Sequence, residues 1–243
     1  MQLKFFFNLK NIRIISDKII KRFNTKNYKT FSITENNVTD MDQFMLEIDS
    51  KLHVEAKDYY IKLKTNSHKT LSSIPYRLGG GGAYNLIYFL IRLYQPEVVV
   101  ESGVAAGFSS NSILTAIKKN KKGFLFSSDF PYFRIPDPEK YIGILVEESL
   151  KMNWKLFIEG DIFNLPKIRK EISKIDFIHY DSDKSYSGRS FFFSSLKDLI
   201  TSKTVILIDD IQDNSFFYDY LHQHKSRKHK VFKFENKFVG LIY

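Results

Sequence analysis

The stretch from Ile175 to Asp210, IDFIHYDSDKSYSGRSFFFSSLKDLITSKTVILIDD, limits the possible folds most tightly. Two short apolar runs, Ile175 to Tyr180 and Thr204 to Ile208, flank a helical segment, and each ends in acid. Asp181 follows the first run, and Asp209 and Asp210 follow the second. Such runs suit strands of a parallel sheet covered on both faces. The acids then lie at carboxyl ends, which form the crevice where an open α/β sheet binds ligands. Adjacent strands would gather the three carboxylates into one small volume, where cations or protons must neutralise them. Oxygen ligands alone suit a hard divalent ion such as Mg²⁺, with water and substrate completing its shell.

The same alternation extends upstream. Ala83 to Tyr94 reads as an apolar helix stopped by Pro96. Glu97 to Glu101 is a strand, Gly103 to Gly107 a glycine turn, and Phe108 to Lys118 a helix. Phe124 to Ser127 is a strand leading to Asp129, and Pro138 to Met152 is helical. Lys155 to Ile158 is a strand before Gly160-Asp161, and a helix follows near Leu165 to Ser173. Beyond a helix from about Asp213 to His222, strands Lys230 to Phe234 and Phe238 to Tyr243 are joined so closely that they must pair antiparallel. The expected fold class is α/β: a Rossmann-like, doubly wound, mostly parallel sheet with a C-terminal antiparallel hairpin.

Residues 1–77 are expected to form a helical and loop region before a domain spanning 78–243. Met41 to Leu52 has helical spacing of its apolar residues. Gly79 to Gly82 is either a hinge or a loop that comes close to a ligand. The 23 Phe and 14 Tyr of the 243 residues give ample core material. A net charge of +10 raises the question of an anionic partner. The basic residues are dispersed and no nucleic-acid module accompanies them, so nucleic acid is not expected to be a partner. Without cysteine there is no thiol catalysis, zinc thiolate site or disulfide. No apolar run is long enough to span a bilayer, and the N-terminus lacks the features of a signal peptide, so a cytoplasmic location is expected. Residues 1–23 form a basic amphipathic segment, expected to pack on the domain in preference to a membrane surface. A homodimer is the default assembly.

The turn after Glu101 places glycines at 103 and 107, so the GxGxxG of dinucleotide folds is absent. Glu101 offers a carboxylate for a cation or amine. Asp129, at the second strand's end, suits a ribose diol. With VVVESGVAAGFSS, SSDF and EGDIFNLP in these places, the chain resembles class I S-adenosylmethionine-dependent methyltransferases. DSDK at 181–184, followed 28 positions later by Asp209-Asp210, is similar to metal-dependent O-methyltransferases of the catechol and caffeoyl-CoA type. DSDKSY also resembles the DGxHxY of related bacterial sugar O-methyltransferases. Asp210 stands where the catechol type has Asn, and Lys184 where the sugar branch has His. The resemblance covers Leu78 to Tyr243, some two-thirds of the chain.

It implies S-adenosylmethionine as cofactor, with Glu101, Gly103, Gly107 and Ser109 around its methionine part, Asp129 at the ribose and Asp161 at the adenine. It also implies a divalent cation, Mg²⁺ first, on Asp181, Asp209 and Asp210. Lys184 would be the base beside Asp181 if its pKa were depressed. The acceptor would be a small hydroxylated molecule, with a sugar or glycan precursor as one candidate. Two alternatives stand beside this: a hydroxylase-like metal enzyme on the same fold, and an inactive basic binding protein. His179, inside an apolar strand, reads as a satisfied core residue.

Overall fold

The computed structural model describes residues 37–132 and 135–243, with residues 12, 15, 16 and 33. Apart from those isolated positions, the expected amphipathic segment at residues 1–23 lies outside the described residues, as do Phe133 and Arg134. Helices α1 (Met41–Ile48), α2 (Ser50–Leu71) and α3 (Tyr84–Tyr94) precede β1 (Val98–Ser102). Then come α4 (Phe108–Asn120), β2 (Phe124–Ser128), β3 (Trp154–Phe157) and α5 (Asp161–Glu171). The organising stretch forms β4 (Ile175–Tyr180), α6 (Tyr186–Leu196) and β5 (Ile200–Ile208). The chain closes with α7 (Phe216–Gln223), β6 (His229–Phe234) and β7 (Lys237–Ile242).

Among the described residues the strands form one seven-stranded sheet, in the order β3-β2-β1-β4-β5-β7-β6. β1 to β5 are parallel, whereas β7 runs antiparallel to both β5 and β6. The expected architecture is the observed one. Side chains alternate across each strand. Val99, Leu125, Phe177, Val205 and Leu207 therefore share a core with α3 and α4, while Val100, Phe126, Ile178 and Ile206 share another with α5, α6 and α7. Leu86 to Ile91 of α3 are all buried, as a helix that is apolar on every side must be. α2 covers its outer side, with Tyr59 stacked on Tyr88 at 4.2 Å.

Two local expectations need correction. The helical pattern from Met41 to Leu52 is broken at Asp49, which is extended (φ −155°) and accepts hydrogen bonds from the Lys51 and Leu52 N–H groups. One residue thus ends α1 and caps α2. Pro138 to Met152 is not a helix; it holds two 3₁₀ turns, Pro138–Tyr141 and Glu148–Asn153. Between them the Gly143 and Leu145 N–H groups donate to the carbonyls of Ala105 and Ala106, so pairing with the glycine turn displaces local helix formation.

Glu55 ties α2 to α3 and α4. It accepts from Tyr88 Oη at 2.6 Å and Arg92 Nε at 2.9 Å, with Lys119 Nζ at 3.3 Å. Burial pushes its carboxyl up, but these donors outweigh it and hold the pKa at about 2. A depressed carboxyl stabilises the fold above its unfolded pKa, and the benefit fades as pH falls through the folded one. Glu55→Gln is expected to cost about 1 kcal/mol at neutral pH after solvent screening. In urea titrations the deficit should shrink from pH 4.5 towards 2.

Candidate active site at the carboxyl edge of the sheet

The strand register aligns Ser128, Ser102, Tyr180 and Ile208 across β2, β1, β4 and β5. One residue further, the ladder still holds: Gly103 N donates to Ser128 O, Asp181 N to Ser102 O, and Asp209 N to Tyr180 O. Asp129, Gly103, Asp181 and Asp209 therefore stand level along one edge. By alternation they follow the α3 and α4 face, which also holds Glu101 and His179.

Glu101 is fully buried, and its Oε2 accepts from the hydroxyls of Ser110 at 2.6 Å and Ser127 at 2.7 Å. Its Oε1 lacks a hydrogen-bond partner among the described residues and lies 3.6 Å from His179 Nδ1. His179 is 1% exposed and neither ring nitrogen has a hydrogen bond among the described residues, so it is a core residue without the satisfied partners the sequence suggested. Burial disfavours its cation, yet Glu101, Asp209 and Asp181 raise its pKa. Asp129 Oδ2 accepts from the N–H groups of Val104 at 3.0 Å and Ala105 at 2.7 Å, which ties it to the glycine turn. Asp161 lies on the opposite face, accepting from Ser102 at 2.9 Å and Ser128 at 2.6 Å. Ser109 is buried in the first turn of α4.

Gly103 and Gly107 have φ of +96° and +97°. Read from sequence, they make room for a ligand; in the structure they make room for backbone. A Cβ at 103 would lie 2.1 Å from the Asp181 carbonyl oxygen, and one at 107 would lie 2.8 Å from Gly143 Cα. The glycine run comes close to side chains as well. A Cβ at Gly80 would meet Phe108 at 3.3 Å, and one at Gly81 would meet Glu235 at 3.3 Å.

The acids after β4 and β5 do converge. Asp181 is pushed up to about 6, first by burial and then by Asp209. Asp209 is 3% exposed; its Oδ2 is 3.2 Å from Lys237 Nζ, and its Oδ1 is without a partner among the described residues. Asp210, in left-handed backbone at φ +53°, ion-pairs with Lys184. Burial opposes its charge, but Lys184 and Lys237 prevail and lower its pKa. Lys184 Nζ is also 3.7 Å from Asp181 Oδ1. Burial works against its cation, but Asp181 and Asp210 raise its pKa, the reverse of what a base needs.

Sequence reasoning missed four residues here. Lys237 opens the last strand and gave no signal in the sequence. Arg189, fully buried on α6, donates to the Asp209 carbonyl at 3.1 Å, the Asp210 carbonyl at 2.8 Å and Asn214 Oδ1 at 3.2 Å. Asn214 Nδ2 in turn donates to the Lys184 carbonyl at 2.7 Å, so the two acidic turns share one anchor. An arginine within SYSGRSFFF was the available clue. Tyr84, stacked on Phe108, has its hydroxyl pushed up by burial and by Asp181 and Asp209.

The donor set does not fit the implied divalent ion. Among the described residues no group of three or more His, Cys, Asp or Glu is arranged to hold a metal. Lys184 and Lys237 are already paired with Asp210 and Asp209, so a hard cation would compete with two ammonium groups for the oxygens of those two acids. The S-adenosylmethionine expectation fares better: Glu101 Oε1 is an open buried acceptor at the glycine turn, and Asp129 is a carboxylate level with it.

Residues 100–211 match the family model described as a methyltransferase domain. No curated protein sequence matches the chain. Among solved structures, it resembles the O-methyltransferase TomG from Streptomyces achromogenes, involved in tomaymycin synthesis and crystallised with S-adenosylmethionine. The identity is 17% and the TM-score 0.57, over 74% of this chain and 88% of that one. It also resembles an O-methyltransferase from Bacillus cereus in complex with S-adenosylhomocysteine, at 18% identity and TM-score 0.55, over 83% and 96% of the two chains. A methyltransferase from Geobacter sulfurreducens matches at 14% identity and TM-score 0.55, over 74% and 87%. The sheet has the class I fold that the sequence resemblance implied, and residues 100–211 carry the match to a methyltransferase domain.

Gly103→Ala is expected to cost about 3 kcal/mol, because it combines a backbone clash with positive φ. Urea denaturation of the variant would check this.

Proposed function

We propose that this chain transfers a methyl group from S-adenosylmethionine to an oxygen of a small hydroxylated acceptor, with sugars and glycan precursors the first class to try. The observation that carries this reading is the level row Asp129, Gly103, Asp181 and Asp209. It sets the carboxylate of Asp129 at one end and the two acids Asp181 and Asp209 at the other, on a fold shared with O-methyltransferases, which supports diol binding at the first and proton removal at the second.

S-adenosylmethionine, when bound, supplies an electrophilic methyl group on a sulfonium. Asp129 would take its ribose hydroxyls, while Glu101, Gly103, Gly107 and Ser109 would border its methionine part. Asp161 would stand at the adenine side, held there by its serine hydroxyls. Displacement at a methyl carbon is in line, so the protein's work is to align the acceptor oxygen and remove its proton. With its pKa near 6, Asp181 is ionised at neutral pH yet more basic than an ordinary carboxylate, so it is the better proton acceptor. Lys184, which the resemblance makes the base, serves here to hold charge between Asp181 and Asp210. Tyr84 would line the acceptor side.

Calorimetric titration with S-adenosylmethionine tests the core of the proposal, and absence of binding would end it. Incubating cell extract with enzyme and cofactor, and following products heavier by one methylene, finds the acceptor. Asp181→Asn should then lower turnover by about 10²-fold or more while changing cofactor affinity less than about twofold. Wild-type turnover should fall about tenfold per pH unit below 6 as Asp181 gains its proton.

A further inference from the structure

Three carboxylates share the edge beyond β4 and β5, with two ammonium groups beside them and a guanidinium beneath. Lys237 Nζ is 3.2 Å from Asp209 Oδ2. Lys184 bonds Asp210 and stands 3.7 Å from Asp181. Arg189 lies fully buried beneath, bonded to the carbonyls of Asp209 and Asp210. The fold fixes the least expected of these, Lys237. β7 is antiparallel to β5 with Gly240 opposite Ile208, so its first residue overhangs the end of β5 where the acids begin. The Phe238 N–H, bonded to Gln212 Oε1 at 3.0 Å, fastens that overhang to the turn after Asp210.

We infer that this protein supplies its own cations where related enzymes are expected to hold a divalent metal: Lys237, Lys184 and Arg189 neutralise Asp209, Asp210 and Asp181, and no metal ion binds there. The inference rests on the proposed reading of this edge as the acceptor site. A divalent ion would compete with Lys184 and Lys237 for their carboxylates and add two positive charges beside two ammonium groups and a buried guanidinium. Like charges at such spacing in a partly desolvated site are strongly unfavourable. Lys237 is thus a positioning residue. It acts through Asp209, holding that buried side chain by its Oδ2.

The test is Mn²⁺ uptake by the full chain, followed by electron paramagnetic resonance at neutral pH. Wild-type protein should take up no Mn²⁺ at micromolar concentrations. Lys237→Gln, which keeps size and loses charge, should bind Mn²⁺ at least about tenfold more tightly than wild type. Adding Asp209→Asn should remove that gain, and Lys237→Arg should behave as wild type. Should Lys237→Gln fail to fold by circular dichroism, Lys184→Gln serves as the charge-removing variant with the same expectation. Micromolar Mn²⁺ binding by wild type that Asp209→Asn abolishes would overturn the inference, as would no gain in the folded variant. Titrating the same samples with S-adenosylmethionine separates the two readings. Lost cofactor binding strikes the proposed function alone, and Mn²⁺ uptake with cofactor binding intact strikes this inference alone.

Discussion

Everything at this site hangs on the register between β1, β4 and β5. The hydrogen bonds from Asp181 N to Ser102 O and from Asp209 N to Tyr180 O continue the ladder past the strand ends. They make the acids part of the sheet, not of a loop. A slip of one residue in a strand would turn Asp181 or Asp209 to the other face and bring Ser182 or Asp210 in its place. Gly103 enforces the register from the other side, since only a residue without Cβ tolerates the Asp181 carbonyl where it lies. Precise placement of the acids and close packing of the glycine turn are therefore one fact.

Gathering acids in this way carries an electrostatic burden that the fold meets locally. Each of the two carboxylates after β5 has its own ammonium partner, and the guanidinium of Arg189 donates to the carbonyls behind them. Asp181 has the weakest pairing, with its partner at 3.7 Å, and it is also the one whose pKa rises. Uneven compensation thus makes one of these similar side chains more basic than an ordinary carboxylate. The buried Glu101 and His179, 3.6 Å apart and each with an atom unbonded among the described residues, add a second close pair on the same face.

Much of this was legible in the sequence. Apolar runs ending in acid identified β4 and β5, with Ile175–Tyr180 matched residue for residue. The short Glu235-Asn236-Lys237 connection foretold the antiparallel hairpin that gives the sheet its methyltransferase order. What escaped was set by long-range contact. Pro138 to Met152 has helical composition, but its N–H groups are drawn to the glycine turn. Lys237 reaches Asp209 across 28 positions of chain, and no local pattern encodes that meeting. The glycines at 103 and 107 read as bordering a cofactor, but a sequence cannot say that the protein's own backbone also comes close at both.

The shared anchor beneath the two acidic turns has a mechanical consequence. Arg189 and Asn214 clamp the DSDK turn to the Asp209-Asp210 turn from within, so neither can shift without dragging the other. For an enzyme of the proposed kind, variation towards new acceptors is thereby steered away from the clamp and onto residues that do not tie the two turns together. The chemistry is cast as one rigid block, and diversification is left to its borders.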